Sequence, residues 1–457
     1  MTHDSKIGKL VVLGAGESGV GAAVLGKAKG MEVWVSDSGR IAERYREELE
    51  RRGIPFEECG HTPERILDAD ICVKSPGIPP TAPMVTEIVA KGIPVLSEIE
   101  FAGRYTDARM VCITGSNGKT TTTLLTYHIL REAGIDAGLA GNVGKSLALQ
   151  VAEDPHAVYV IELSSFQLEN MYDFKADIAV MMNITPDHLD RYDYKMENYV
   201  AAKFRILRNQ TKDDYFIYWN DDPVIKEQMR HVQTEALHLP FSEHPEDGGA
   251  AFVEEGIVRF KVPGDVWEIP RDKISLPGLH NLYNSMAAGL SASVLHIRDE
   301  KIREALEDFE AVEHRLEYVA TVDGVRYVND SKATNVNSTW YALGSMTTPV
   351  VLILGGKDKG NDYSEIEALV KEKARAVVAM GKDNSKIVSY FGGIVPVADT
   401  HSLEEAMAKC REMAKEGDTV LLSPCCASFD LFNSYEDRGD RFKAAVRAMA
   451  APEGHDN

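Results

Sequence analysis

Val111-Cys112-Ile113-Thr114-Gly115-Ser116-Asn117-Gly118-Lys119-Thr120-Thr121 is the stretch on which the fold turns. A short apolar strand runs into a glycine-rich turn, and a helix is predicted from about Thr122. Glycines let consecutive backbone N–H groups curl around a phosphate, and the helix N-terminus adds positive potential. Lys119 then reaches the terminal phosphates of a nucleotide, and the Thr120 hydroxyl is offered to Mg²⁺. The common P-loop pattern has glycine where this chain has Ile113, so the loop is a shortened one. The bland alternative is a tight strand-to-helix turn with a surface lysine. The order of strand, loop and helix favours the phosphate cradle.

Working outward, short apolar runs alternate with longer amphipathic ones. Strands are predicted at residues 10–13, 33–35, 71–74, 157–161 and 178–182, and later at 325–328, 350–354, 376–380 and 419–422. Helical segments between strands imply βαβ units and parallel sheets. Residues 237–270 differ: short alternating pieces rich in Gly and Pro predict small antiparallel strands. Seams near 103–109 and 309–315 divide the chain into residues 1–106, 107–311 and 312–457. The expected fold class is α/β in three domains: N-terminal Rossmann-like, central P-loop ATPase-type with small antiparallel strands, and C-terminal Rossmann-like.

A second glycine-rich loop, Gly14-Ala15-Gly16-Glu17-Ser18-Gly19, follows the first strand, with Asp37 at the end of the next. It fits a dinucleotide fingerprint, but other nucleotides use the same cradle, and tight helix–strand packing alone explains it too. In parallel sheets ligands sit beyond the carboxyl ends of the strands. One such end is Glu162-Leu163-Ser164-Ser165, and another is Asn183-Ile184-Thr185-Pro186-Asp187-His188. If both strands share a sheet with the glycine-rich loop, Glu162 and His188 approach the phosphates together, and a carboxylate, a neutral imidazole and the loop hydroxyl suit a hard divalent ion. A third set follows the late strands: Asn329-Asp330-Ser331-Lys332-Ala333-Thr334-Asn335, residues 355–360 and residues 423–428. These read as one binding face.

The 457 residues carry a net charge of −21, which argues against broad nucleic-acid binding and against docking on anionic lipid. No apolar run is long enough to span a bilayer, so no membrane insertion is expected. The six cysteines show no C-x-x-C pair, and Cys425-Cys426 reads as packing. A cytoplasmic protein with reduced thiols is expected.

Together these residues resemble the Mur ligase family. The shortened loop from Gly115 to Thr121 resembles the family's ATP loop. Ala140-Gly141-Asn142-Val143-Gly144, the run ELSSFQLE at 162–169, NITPDHLDRY at 183–192, YVAAK at 199–203, LPGLHN at 276–281 and His314-Arg315 resemble its central motifs. NDSKATN at 329–335 and LLSPCCAS at 421–428 resemble the D-glutamate-adding branch.

The resemblance implies that residues 1–106 bind the UDP of an acceptor, through Glu17, Ser18, Asp37, Ser38, Ser75 and Gly77. Asn142 and His188 would also contact the acceptor. It implies ATP binding through Gly115, Ser116, Asn117, Gly118, Lys119, Thr120, Thr121, Asn142, Asn281, Arg315 and Asp330. Mg²⁺ is implied at two sites, with Thr120, Glu162, His188 and Lys203 as ligands. Lys203 matches the lysine that the family converts with CO₂ into a carbamate; on sequence alone it is an ordinary helix lysine. Lys119, Glu162, His188 and Lys203 are the implied catalytic set. Lys332, Thr334, Lys359, Ser428, Phe429 and Tyr435 are the implied D-glutamate contacts. The implied reaction joins D-glutamate to UDP-N-acetylmuramoyl-L-alanine through an acyl phosphate and a tetrahedral intermediate, giving ADP and phosphate. A monomer acting on small molecules is expected. The competing readings are another Mur ligase, a folylpolyglutamate synthase, a nicotinamide dehydrogenase suggested only by the first loop, and a non-catalytic nucleotide-binding regulator.

Overall fold

A computed structural model describes residues 8–187, 189–245, 248–309 and 313–450. Three sheets account for the twenty strands given below. The first comprises β1 (Lys9–Leu13), β2 (Glu32–Ser36), β3 (Phe56–Glu57), β4 (Ile71–Lys74) and β5 (Val95–Leu96), in the order β3-β2-β1-β4-β5. All its pairings are parallel. This is the strand order of a doubly wound nucleotide fold, with the order reversing at β1. The loop from Gly14 to Gly19 leaves the carboxyl end of that central strand. Gly19 is needed there for packing, because a Cβ on it would lie 1.9 Å from the Gly14 carbonyl oxygen.

The second sheet holds β6 (Arg109–Thr114), β7 (Ala137–Gly141), β8 (Val158–Glu162), β9 (Ile178–Met181), β10 (Tyr215–Trp219), β11 (Leu237–Phe241), β12 (Ala251–Glu254), β13 (Ile257–Val262) and β14 (Asp265–Pro270). Its order is β14-β13-β12-β11-β10-β9-β6-β8-β7. β8 is buried at every position, as expected of an interior parallel strand covered on both faces. The small strands at 251–270 are antiparallel, as expected. The expectation failed for Leu237–Phe241, which pairs parallel to β10. Helix Pro223–Gln228 lies between those two strands, and a crossover through a helix returns the chain in the same direction.

The third sheet holds β15 (Glu317–Val322), β16 (Val325–Asn329), β17 (Val350–Gly355), β18 (Ala374–Met380), β19 (Val397–Thr400) and β20 (Thr419–Cys425), in the order β15-β16-β20-β17-β18-β19. Only β15 is antiparallel. The chain divides into two compact units: Met1–Ile274 with Tyr283–Asp308, and Ser275–Leu282 with Phe309–Asn457. The first two sheets therefore share one unit. No helix among the described residues is long and apolar enough to cross a membrane. Five of the cysteines are buried and Cys59 is exposed; none is disulfide-bonded.

Within the first unit the two sheets meet at a buried carboxylate. Glu98 Oε1 accepts hydrogen bonds from the Ser146 hydroxyl at 2.7 Å and the Ala148 N–H at 2.6 Å. Burial pushes this carboxyl up to about 7. In the unfolded chain it returns to an ordinary glutamate value, so between those values the native state holds the extra proton. Stability is therefore lost as pH rises through the window from about 4.5 to about 7. Glu98→Gln is expected to flatten that decline by on the order of 2–3 kcal/mol. Melting temperatures of parent and variant at pH 5 and pH 8 measure it; equal slopes would contradict it.

Candidate active site

The loop that opened the sequence reading stands at the carboxyl end of β6, between β8 and β9. Ile113 is in register with Glu162, Thr114 with Met181, and Gly141 with Glu162. Four neighbouring strands thus deliver their polar ends to one place. Gly118 caps helix Lys119–Glu132 with φ at +82°, a conformation that favours glycine. A Cβ there would also lie 2.5 Å from Asn284 Oδ1.

The loop is held from behind. Ser116 N–H donates to the Asn183 carbonyl at 2.8 Å, and Asn117 N–H donates to Asn183 Oδ1 at 2.8 Å. The Ser116 hydroxyl donates to the Thr185 carbonyl at 2.8 Å and lies 3.0 Å from the Tyr199 hydroxyl. The Lys119 ammonium donates to the Gly115 and Ser116 carbonyls, each at 2.8 Å. Thr120 is buried and Thr121 follows it on the same helix turn.

Glu162 is buried at the end of β8. Its Oε1 accepts from Asn142 Nδ2 at 3.0 Å. Its Oε2 is buried with no hydrogen-bond partner. A carboxylate oxygen buried without a partner costs a full desolvation penalty, and a bound cation relieves it. The donors here are hard oxygens, from Glu162 and the Thr120 hydroxyl, and they fit Mg²⁺. His188 lies outside the described residues.

Lys203 sits on helix Met196–Phe204 and is almost completely buried, at 1% exposure. Its amine donates to the Gly115 carbonyl at 2.7 Å and lies 4.6 Å from the Tyr199 ring centroid. Burial first, and the Lys119 charge second, hold it well below the ordinary lysine value; Asp187 and Glu162 pull the other way. Desolvation and a neighbouring cation both disfavour the charged form of an amine, and the neutral form is a nucleophile. Lys203, Lys119 and Glu162 therefore share one enclosure around Gly115.

Sequence reasoning missed Asn284. Its Oδ1 accepts from the Thr122 hydroxyl at 3.2 Å and borders Gly118. The signal available was its spacing of three from Asn281, which puts both on one helix face.

On the first sheet, Asp37 turns back onto the loop: its Oδ2 accepts from the Ala15 N–H at 2.7 Å and its Oδ1 from the Gly39 N–H at 2.8 Å. Glu17 and Ser38 are exposed and Ser18 is half-buried. The Ser75 hydroxyl donates weakly to the Gly14 carbonyl at 3.4 Å, so the 75–77 loop and the first glycine loop are neighbours.

Asn281, Arg315 and Asp330 belong to the second unit. Asn281 Nδ2 donates to the Pro277 carbonyl at 2.8 Å. Asp330 Oδ2 accepts from the Ser423 hydroxyl at 2.7 Å, and burial raises its carboxyl to about 7. Arg315 Nε is buried without a partner. Lys332 lies 5.3 Å over the Tyr435 ring, Ser428 is buried, Thr334 is half-buried, and Lys359 and Phe429 are exposed. The loops carrying Lys332 and Ser428 are tied by Arg438, which is 1% exposed. Its guanidinium donates to the Ser331 hydroxyl at 2.9 Å, the Ser331 carbonyl at 2.8 Å and the Cys426 carbonyl at 3.2 Å. Nothing in the charged run around Arg438 distinguishes it from a solvated helix arginine.

Family models match most of the chain. The Mur ligase middle domain matches residues 113–292, the Mur ligase glutamate ligase domain matches 314–426, and the MurD N-terminal domain matches 9–84. UDP-N-acetylmuramoylalanine–D-glutamate ligase of Bacteroides thetaiotaomicron is 59% identical over 443 residues, covering 96% of this chain and 100% of its own. The enzyme of the same name from Porphyromonas gingivalis is 57% identical, covering 96% and 98%. Among solved structures, UDP-N-acetylmuramate-alanine ligase of Thermotoga maritima aligns with a TM-score of 0.61 at 18% identity, covering 96% of this chain and 99% of that one. The MurF ligase of Thermotoga maritima, solved in complex with ADP, aligns with a TM-score of 0.60 at 16% identity, covering 91% and 95%. These structures share the fold.

Proposed function

This chain belongs to the Mur ligase family, and from that premise we propose that it joins D-glutamate to UDP-N-acetylmuramoyl-L-alanine at the expense of ATP. The observation that carries the ligase chemistry is the enclosure around Gly115, where Lys119, Lys203 and the unpartnered Glu162 oxygen converge. The acceptor choice rests on identity with the named relatives over nearly full length.

The alanine carboxylate attacks the γ-phosphorus of ATP, and ADP leaves. The amine of D-glutamate then attacks the acyl phosphate carbon, and the tetrahedral intermediate expels phosphate. The first step brings two anions together, so local positive charge must offset an overall negative chain. The loop N–H groups and Lys119 supply part of it. To do so, Lys119 exchanges the Gly115 and Ser116 carbonyls for phosphate oxygens. Mg²⁺, held by Glu162, the Thr120 hydroxyl, His188 and a Lys203 carbamate over two sites, would neutralise the remaining phosphate charge. Lys203 forms that carbamate when its neutral amine attacks CO₂ and releases a proton. Asn142 orients Glu162. Asn281, Arg315 and Asp330 complete the ATP contacts, with Asn284 beside the loop.

Residues 1–106 hold the uridine diphosphate through Glu17, Ser18, Asp37, Ser38, Ser75 and Gly77; 107–311 hold ATP; and 312–457 hold D-glutamate. There Lys332 and Lys359 pair its two carboxylates, with Thr334, Ser428, Phe429 and Tyr435 around them. A pocket built for a second carboxylate rejects alanine strongly, because its cations would be left unpaired. The protein works in the cytoplasm as a monomer.

Phosphate release with Mg-ATP and UDP-N-acetylmuramoyl-L-alanine tests the assignment. D-glutamate, L-glutamate, L-lysine, meso-diaminopimelate and L-alanine are offered in turn. Release with D-glutamate alone is expected. Release with another amino acid would move the chain to a different branch of the family.

A further inference from the structure

Arg191 lies in the short helix Leu189–Tyr192, outside every role assigned above. Its guanidinium donates to the Pro76 carbonyl at 3.0 Å and to Glu169 Oε2 at 2.9 Å. It stacks over the Phe166 ring, 4.0 Å from the centroid. Glu169 is itself pinned, because its Oε1 accepts from the Tyr192 hydroxyl at 2.8 Å. The side chains of Arg191 and Glu169 are only 11% and 20% exposed. One arm of the fork is thus held by Glu169 and one face by the Phe166 ring, Nε is buried without a partner, and the other arm grips one backbone carbonyl of the first sheet's 75–78 loop. The same loop is also held by the buried Lys74 ammonium, which donates to the Ile78 carbonyl at 2.6 Å.

Where the loop's N–H groups go gives this grip a purpose. Ser75 N–H donates to the Leu13 carbonyl at 2.9 Å, and Ile78 N–H donates to the Ser75 carbonyl at 3.1 Å. Pro76 and Pro79 have no N–H to give. Gly77 N–H has no acceptor among the described residues. The 76–77 peptide is trans, so its carbonyl and its N–H point in opposite directions. Holding the Pro76 carbonyl against Arg191 therefore aims the Gly77 N–H away from Arg191, and Gly77 itself is exposed. A Cβ on Gly77 would meet nothing within 4 Å, so the space beside it is open.

We infer that Arg191 is a positioning residue for the acceptor: by clamping the Pro76 carbonyl it presents the Gly77 N–H to the UDP-bearing substrate. The inference rests on the reading above that the Ser75–Gly77 loop meets that substrate. It also links the two ends of the site. Glu169 follows Glu162 on the same run, so the acceptor loop is registered against the strand end that faces the phosphates.

Titration calorimetry of UDP-N-acetylmuramoyl-L-alanine and of Mg-ATP into Arg191→Met, Arg191→Lys, Glu169→Gln and Gly77→Ala tests it. Arg191→Met is expected to weaken acceptor binding about tenfold or more, the loss of one charge-assisted bond, while Mg-ATP binding moves less than about twofold. Arg191→Lys restores part of the affinity, because a lysine reaches one partner where the fork reaches two. Glu169→Gln shifts acceptor binding in the same direction by less, and it carries the test if Arg191→Met does not fold. Equal weakening of acceptor and Mg-ATP would mean a merely structural role and overturn the proposal. So would unchanged acceptor binding in the Arg191 variants when Gly77→Ala weakens it. If Gly77→Ala also leaves it unchanged, the loop does not meet the acceptor, and the reading beneath the proposal fails with it.

Discussion

Lys203→Met is expected to lower turnover by about a thousandfold or more while leaving the protein at least as stable as its parent. The two effects have separate physical origins. Lys203 is buried in the first unit, and the wild-type protein bears the cost of desolvating its amine. Methionine has nearly the same volume and no charge to desolvate, and the Gly115 carbonyl keeps a donor in Lys119. Stability is therefore not expected to fall. Turnover falls because a thioether cannot become a carboxylate-like ligand. The pH behaviour follows from the same depressed value. The amine is neutral, and able to hold CO₂, at pH values well below the ordinary lysine range. Acidification through its pKa protonates it and, on the proposed reading, would drain the carbamate. Parent enzyme held in CO₂-free buffer is thus expected to lose activity, faster as pH is lowered, and to regain it with bicarbonate. Stopped assays on parent and variant, with and without bicarbonate, check this. A variant with a tenth or more of parental turnover, or a parent indifferent to CO₂, would show that Lys203 acts only by packing.

Glu162→Gln is the second large effect, and it too should separate stability from activity. The side-chain carbonyl of glutamine keeps the Asn142 bond that Glu162 Oε1 accepts at 3.0 Å. The other oxygen, buried and without a partner, becomes an amide nitrogen. The amide nitrogen meets the same lack of a hydrogen-bond partner as the oxygen it replaces, so stability is expected to change little. On the proposed reading, the substitution nevertheless replaces a carboxylate ligand of Mg²⁺ with an amide that would bind it more weakly. Turnover is expected to drop at least about a hundredfold, with the Mg²⁺ needed for half-maximal rate moving upward. Magnesium titrations of phosphate release beside a melting curve measure both. A variant that loses activity only in proportion to lost folded protein would place Glu162 in the scaffold.

Much of this site was legible because parallel sheets put their chemistry at strand ends. Glu162 could be placed at a strand end from its position after an apolar run, whereas the sharing of one sheet was only a condition of that reading, and the flanking of β6 by β8 and β9 came from the strand pairing. β7 was harder to see: Ala137-Gly138-Leu139-Ala140-Gly141 has little strand propensity, and it is a strand because β8 pairs with it. Lys203 shows the limit most clearly. After two alanines it reads as a solvated lysine, and only tertiary packing buries its amine and lowers its pKa. Arg438 and Arg191 were hidden for the same reason. Each lies among charged neighbours that pattern arguments assign to the surface, and each gives at least one arm of its fork to a backbone carbonyl that no sequence period marks.

The most direct test of the central claim is to run the reaction with UDP-N-acetylmuramoyl-L-alanine carrying ¹⁸O at both oxygens of the alanine carboxylate, with Mg-ATP and D-glutamate, and to weigh both products. The account predicts one labelled oxygen in the released phosphate and the other in an acceptor made heavier by one glutamyl unit. Unlabelled phosphate, or phosphate released without that glutamyl product, would contradict it.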